Sequence, residues 1–335
     1  MKTGIIASVL LFLTGAVAAQ EVRIGLDSPP DAVRSGSYVF AKALGDQLKA
    51  TGFTVKEMPV NSIGGEAERL DQTTQGLLEV NMADLARSAQ LNKLTFGFGL
   101  PYLYDSLAHL DRADAAGGLL ARVNEGVIPK GARIVALVAV GGGTGIFNTK
   151  HEVSKPDDMA DLRMRGLDEN QMKLFKSWGT NGVVITMPEV ANALQTGIAS
   201  GYINPPFVPF LFGHGAILKH YTPANVSQSL RVAMVSEDWY KKLPADRKAA
   251  FDAAVVKALA ANRAWVKSSD EQAMEQVVKA GMKITPLTPD GRKQFQERSR
   301  TSWTAILSEA EIKPFVDAAN TVSYTHLTLP TSDLV

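Results

Sequence analysis

The 335-residue sequence contains no cysteine. It therefore forms no disulfide, thiolate metal site or cysteine nucleophile, and it offers no cysteine that a lipid anchor could modify. Neither sign of charge is in excess, because the chain without Lys2 carries 34 basic and 34 acidic side chains. That balance argues against a nucleic-acid partner, which requires a basic face. An anionic ligand would have to be recognised by a local charge and not by a global field.

Long apolar runs are also missing, apart from one at the N-terminus. Lys2 precedes the apolar run Ile5–Leu13, and small residues follow, which is the three-part pattern of a secretory signal peptide. The run is too short to span a bilayer. We expect residues 1–19 to be a signal peptide cleaved near Ala18 or Ala19, which predicts a soluble periplasmic protein.

Motifs of catalysis and of nucleotide binding are missing as well. No serine lies in a Gly-x-Ser-x-Gly elbow, the carboxylates are scattered singly, and no two of the five histidines have the i,i+4 spacing of a helical metal site. The glycine-rich segment Gly141–Gly145 lacks the lysine and the Ser or Thr of a P-loop. We therefore predict no enzyme activity, no metal and no cofactor.

Short apolar strands alternate with amphipathic helices along most of the chain, which predicts an α/β fold with mostly parallel strands. About 300 mature residues exceed the usual size of one core, so two lobes are expected. We assign residues 20–142 and about 229–265 to lobe I, and residues 143–228 and about 266–320 to lobe II. Gly141–Gly145 is the predicted hinge, because glycine accepts the backbone changes of a closing motion.

The segment from Pro244 to Gly281 has helical spacing throughout, with proline at its start and glycine at its end. A single helix of this length would reach about 50 Å and should bridge both lobes. The alternative is two helices broken near Ser268 and Ser269. Residues 321–335 lose the helical period abruptly, and we interpret this tail as an artefact of sequencing or assembly.

Arg165 is the strongest candidate for a binding residue. It ends a short strand-like run from Leu162, in which alternation sends Arg163 and Arg165 to the face opposite Leu162 and Met164. A guanidinium in a cleft is a permanently charged fork that matches a carboxylate. A surface salt bridge is the alternative from this spacing alone.

The region around Arg165 resembles the signature region of the solute-binding proteins of TRAP transporters. The matching residues are Leu162, Arg165, Glu189, Val190, Ala193, Leu194, Gln195, Gly197, Asn204 and Pro205. The likeness spans roughly residues 21 to 320. It implies a two-lobed periplasmic binding protein fold with a ligand cleft between the lobes and a long helix across both.

The resemblance also implies roles for individual residues. Arg165 would bind the carboxylate of a small organic acid, and Asn204 would support it. The resemblance implies that Glu66 reaches the ligand. Its position at the start of a helix predicts a capping role equally well. Phe207 and Phe210, in a proline-rich segment after Asn204, would form an apolar pocket wall or pack in the core.

Two departures from the family pattern affect the rest of the ligand. Many members carry a second arginine near the glycine-rich segment, where this chain has Thr144 among glycines, and an aromatic residue where it has Met187. We include Thr144 and Met187 among the candidate ligand-binding residues. The missing arginine favours a monocarboxylate or keto acid with an apolar body over a dianion clamped at both ends.

The sequence thus predicts a periplasmic receptor that captures a small organic acid and delivers it to the membrane permease of a TRAP transporter. We expect a monomer. A secreted enzyme acting on a small organic acid on the same scaffold is one alternative, because a fold does not dictate function. A binding protein that serves an ABC permease is another.

Overall fold

A computed structural model describes residues 20–323. The predicted signal peptide, its cleavage point and all but the first residues of the predicted tail lie outside the described residues. Within them, the first sheet has the order β2-β1-β3-β10-β4. β1 is parallel to β2 and β3, whereas β10 is antiparallel to β3 and β4. The strands are β1 (Glu21–Gly25), β2 (Thr54–Met58), β3 (Val80–Asp84), β4 (Ala132–Gly143) and β10 (Gln228–Ser236).

The second sheet has the order β11-β9-β5-β8-β6-β7. β6 is parallel to β7 and β8, and β5 is antiparallel to β8 and β9. The predicted α/β class is confirmed. The strands are β5 (Gly145–Asn148), β6 (Arg163–Gly166), β7 (Asn181–Val184), β8 (Gly201–Asn204), β9 (His220–Thr222) and β11 (Lys283–Ile284).

Helices pack against both sheets, and inner strands such as β3, β4, β5 and β10 are largely buried, as expected where helices cover a sheet. None of the helices in residues 20–323 is both long and apolar enough to cross a membrane. The helices are α1 (Gly36–Ala50), α2 (Glu66–Thr74), α3 (Leu85–Ala89), α4 (Leu107–Gly117), α5 (Leu119–Val127), α6 (Glu169–Ser177), α7 (Val190–Thr196), α8 (Val208–Leu211), α9 (Glu237–Lys242), α10 (Ala245–Lys279), α11 (Pro289–Trp303) and α12 (Glu309–Ser323).

The long helix α10 is continuous over 35 residues, so the prediction of one helix is confirmed and the break near Ser268 is wrong. Its first half packs in the core of the first lobe through Phe251 and Ala258. Its second half packs in the second lobe through Val277. Asn262, fully buried midway, donates to the carbonyls of Gly36 and Ala139 and accepts from the Ala139 N–H, which fastens α10 to β4 and α1.

Two neighbouring connections join the lobes, one between β4 and β5 and one between β9 and β10. They bond to each other, since the N–H of Thr144 donates to the Ser227 carbonyl at 2.9 Å and the N–H of Val226 donates to the Thr144 carbonyl at 2.9 Å. The glycines of this segment are required by close approach. A Cβ on Gly142 would overlap the carboxylate of Asp270, and one on Gly141 would lie 2.6 Å from the Phe207 ring.

The C-terminal helix α12 differs from the domain assignment made from the sequence. It packs against α4 in the first lobe, and Phe315 meets Phe98 edge to face with ring centroids 5.4 Å apart. α11, which precedes it, packs against α6 in the second lobe through Phe295. The chain therefore crosses back to the first lobe after α11, because the apolar face of α12 is buried there.

Candidate functional site

A cavity of about 790 Å³ lies between the two lobes. The first lobe contributes the ends of β1, β3 and β10 to its wall, and the second contributes β6, β8 and the segments after β7 and β8. Five of the predicted site residues line it, namely Thr144, Arg165, Met187, Asn204 and Phe207.

Arg165 lies in β6, between β8 and the edge strand β7 of the second sheet. Its neighbours across the strands are Val183 in β7 and Tyr202 in β8. Only 3% of the residue is exposed, although it lines the cavity. The Nε group donates to the carbonyl of Ile185 at 2.8 Å, and the Nη2 group is buried without a hydrogen-bond partner.

The charge of Arg165 is poorly compensated. In the described part of the chain no carboxylate forms an ion pair with its guanidinium, so the alternative of a surface salt bridge does not describe this residue. Burial lowers the pKa of Arg165, and the smaller effects of Tyr202 and Asp168 act in the opposite direction. A desolvated cation with a free donor attracts an anionic group, and a carboxylate would fill both needs.

Two further groups of the predicted site lie near the crossover. Asn204 ends β8 opposite Gly145, and its side-chain Nδ2 is buried without a partner. Thr144, 8% exposed, accepts a hydrogen bond on Oγ1 from the Ser227 N–H at 3.2 Å. Arg165 and Asn204 thus both line one cavity, and each has a buried side-chain nitrogen without a hydrogen-bond partner.

Much of the remaining wall of the second lobe is apolar, although Asp168, Asn170, Gln171 and Thr186 also line the cavity. Met187 and Phe207 line the cavity and share a small apolar cluster with Ala273 of α10. The Phe207 ring also meets Trp265 of α10, with centroids 6.4 Å apart. Phe207 therefore combines cavity lining with core packing, the two roles that the sequence left open.

Glu66 and Phe210 lie elsewhere than the cavity wall. Glu66 begins α2, and its carboxylate is 3.8 Å from the guanidinium of Arg87. Phe210 lies in α8 and packs on the core of the second lobe beside Gly215. A ligand role for either residue stays a prediction from the sequence.

Sequence reasoning missed the facing wall of the first lobe. Asp27 follows β1, Asp84 ends β3 and Arg231 lies in β10, and all three line the cavity. The aspartates could have been found, because β1 and β3 are parallel and the carboxyl ends of parallel strands meet at one edge of a sheet. Arg231 gave no such signal, since β10 enters from a distant part of the chain.

The cavity between two α/β lobes, with its poorly compensated cation and apolar side, defines a class of protein: a solute-binding receptor that encloses a small molecule. Residues 20–323 contain no cluster of three or more acidic or histidine side chains that could hold a metal ion.

Sequence comparison then gives the family. The family model of bacterial extracellular solute-binding proteins, family 7, matches residues 34–310, and the chain belongs to this family. The C4-dicarboxylate-binding periplasmic protein of Rhodobacter capsulatus is 24% identical over 274 residues, which cover 80% of each chain. The predictions of a TRAP-type solute receptor and of a protein that is not an enzyme are confirmed.

Solved structures match the fold. A TRAP periplasmic solute-binding protein of Anaerococcus prevotii with bound D-glucuronate has a TM-score of 0.78 at 19% identity, covering 92% of this chain and 99% of that one. One of Shewanella oneidensis with bound succinate has a TM-score of 0.77 at 18% identity, covering 91% and 99%. The predicted two-lobed fold is confirmed.

Proposed function

We propose that the cavity captures a small organic acid, with Arg165 gripping the carboxylate. The observation that carries this proposal is a cavity-lining arginine that is 3% exposed and has one guanidinium nitrogen without a hydrogen-bond partner. A buried charge without a partner is costly, and an incoming carboxylate removes that cost by ion pairing. The bound acids named for the structural relatives, glucuronate and succinate, share this group.

Asn204 acts as the second donor to the same carboxylate, because its buried Nδ2 has no other partner in the described chain. Met187 and Phe207 contact the apolar body of the acid, and Thr144 lines the same cavity at the crossover. The ligand is thus anchored by its charge on the second lobe and packed along an apolar surface.

The protein works in the periplasm as a monomer and delivers its ligand to the membrane permease of a TRAP transporter. The leader-like residues 1–19 and the periplasmic relative in Rhodobacter capsulatus support the location, and the TRAP receptors of the same fold support the permease partner.

A thermal-shift panel tests the capture of an acid. The purified mature protein is heated with D-glucuronate, succinate and a series of 2-oxo and 2-hydroxy monocarboxylates, each beside its uncharged amide. At least one acid should raise the melting temperature, since a ligand that binds only the folded state stabilises it, and the matching amide should not.

Arg165→Lys is the matched variant, because it keeps the positive charge and loses the planar fork. We expect its affinity for the same acid to fall at least tenfold. A panel without any stabilising acid, or an equal response to acid and amide, contradicts the proposed function.

A further inference from the structure

The first lobe faces the cavity with an arginine held between two aspartates. Arg231 Nε lies 3.2 Å from Asp27 Oδ2, and Arg231 Nη1 is paired with Asp84 Oδ2. The Asp27 side chain is 2% exposed and is fixed further by the hydroxyl of Ser37, which donates to Oδ1. The Asp84 side chain is 22% exposed, so it is the more accessible of the two carboxylates. We name Asp27, Asp84 and Arg231 the aspartate-arginine triad.

Two further guanidiniums lie behind this wall. Arg87 lies 3.8 Å from Glu66. Burial lowers the pKa of Arg69, which is 1% exposed and donates to Asn81 and to main-chain carbonyls, while Glu66, Asp27 and Glu68 act in the opposite direction. The three guanidiniums are thus at least balanced in number by the carboxylates around them. At the rim of the same wall, Arg34 pairs with Asp31 at 3.8 Å.

This balance has a consequence for the end of the ligand that lies away from Arg165. A second carboxylate would meet Asp84 and Asp27 at close range, and like charges repel most strongly where water is excluded. A hydroxyl group can instead donate to an aspartate and accept from Arg231 at once. Polar neighbours that also line the cavity add further hydroxyl and amide partners, namely Ser28, Ser35, Ser227, Gln228 and Ser229.

We infer that the aspartate-arginine triad is the specificity element of this receptor: it selects acids with one carboxylate and a neutral hydroxyl-bearing far end, and it rejects dicarboxylates. The inference rests on the proposed function, because it takes the carboxylate to be held at Arg165. It separates this chain from relatives whose names or bound ligands are dicarboxylates.

Matched straight-chain probes test the selectivity. For chains of five, six and seven carbons, the ω-hydroxy acid is compared with the dicarboxylate and with the plain fatty acid by calorimetry and thermal shift. At the best chain length the hydroxy acid should bind at least about tenfold more tightly than the dicarboxylate, and more tightly than the plain acid.

Asp84→Asn tests the triad itself. Asparagine still caps α3, where Asp84 now accepts from the Ala86 N–H at 2.8 Å, and Arg231 is left with a single carboxylate. We expect the ratio of hydroxy-acid to dicarboxylate affinity to fall at least about tenfold. Asp46→Asn is the control, because it makes the same change of charge on the same lobe at an exposed position of α1 that does not line the cavity, and its ratio should stay within about twofold of the wild type.

The outcomes are separable from the proposed function. A wild type that none of the acids stabilises contradicts both proposals. Two results overturn the selectivity inference alone: a wild type that binds dicarboxylates as tightly as hydroxy acids, and an Asp84→Asn variant with the same ratio as the control.

Discussion

The two walls of the cavity each present an arginine, and the two arginines are in opposite electrostatic states. Arg165 in the second lobe is 3% exposed and forms no carboxylate ion pair within residues 20–323. Arg231 in the first lobe is paired with both Asp27 and Asp84. The arginine of the second lobe therefore lacks an anionic partner, whereas the arginine of the first lobe is neutralised by carboxylates of the protein itself.

The two arginines have different roles, one in ligand binding and the other in the stability of the fold. A buried cation without a partner destabilises the ligand-free fold, and its compensation by a ligand is what makes binding favourable. A cation that is already paired stabilises the fold and offers little to a second anion. The same residue type thus serves recognition on one wall and structure on the other, and substitutions should reveal the difference.

The largest effect is expected for Arg165→Met, which should weaken acid binding at least a hundredfold, since losing one partner of a buried charge pair costs about 3 to 5 kcal/mol. The same substitution should leave the ligand-free protein as stable as the wild type or more stable, because an uncompensated buried charge is removed. Calorimetry measures the first quantity and urea unfolding the second.

Arg163→Met is the control for that experiment, because Arg163 lies two residues earlier in the same strand with an exposed side chain. Its affinity should stay close to that of the wild type. Near-normal binding by Arg165→Met, or a ligand-free protein that is clearly less stable, would break the contrast between the two arginines.

Arg231→Met should show the reverse pattern. It leaves the Asp27 carboxylate, 2% exposed, without its cation, and the free energy of unfolding should fall by about 2 to 3 kcal/mol, below the full value for a buried pair because the Arg231 side chain is 27% exposed. Adding Asp27→Asn should recover most of this loss. An unfolding curve that coincides with the wild type would show that Arg231 has no structural role.

The smallest effect concerns His214, which is 1% exposed and hydrogen-bonded to the Tyr202 hydroxyl at 3.2 Å. Burial lowers the pKa of His214, and the positive charge of Arg165 adds to this. Near pH 6.5 the imidazole of His214 is therefore protonated in the unfolded chain but stays neutral in the folded chain. Stability from this group is complete above about pH 6.5 and is lost as the pH falls below it.

His214→Gln provides the measurement, since glutamine does not titrate and can still bond to Tyr202. Between pH 8 and pH 5.5, the unfolding free energy of the wild type should fall by more than that of the variant. A bound acid should reduce that shift, because it offsets the charge of Arg165. A difference that is independent of pH would remove the coupling between His214 and Arg165.

Much of the fold could be predicted from the sequence, because helices and strands follow from the spacing of apolar residues along the chain. The 35-residue α10 follows from helical spacing between Pro244 and Gly281, and α/β alternation predicts two covered sheets. The placement of α12 was missed because amphipathic spacing says that a helix has an apolar face but not which core receives it. The glycines at 141 and 142 were predicted to provide hinge flexibility. The structure shows instead that side chains from α10 and from the segment after β8 lie too close to leave room for a Cβ at these positions.

The site divides in the same way. The positions of Arg165 and Asn204 on the cavity wall were anticipated from a local motif and a family resemblance. The aspartate-arginine triad was not, because Arg231 reaches Asp27 and Asp84 only through β10, which inserts between β3 and β4. The burial of Arg165 also depends on neighbouring strands that its own segment does not specify.

By itself, the amino-acid sequence determined the period of each element, the length of the bridging helix and the presence of one arginine suited to a carboxylate, since these properties reside in neighbouring residues. Only the tertiary structure decided which of the described cavity-lining arginines is left without an acidic partner. Charge compensation depends on distances between side chains from separate strands, and those distances exist only once the two sheets have formed and enclosed the cavity.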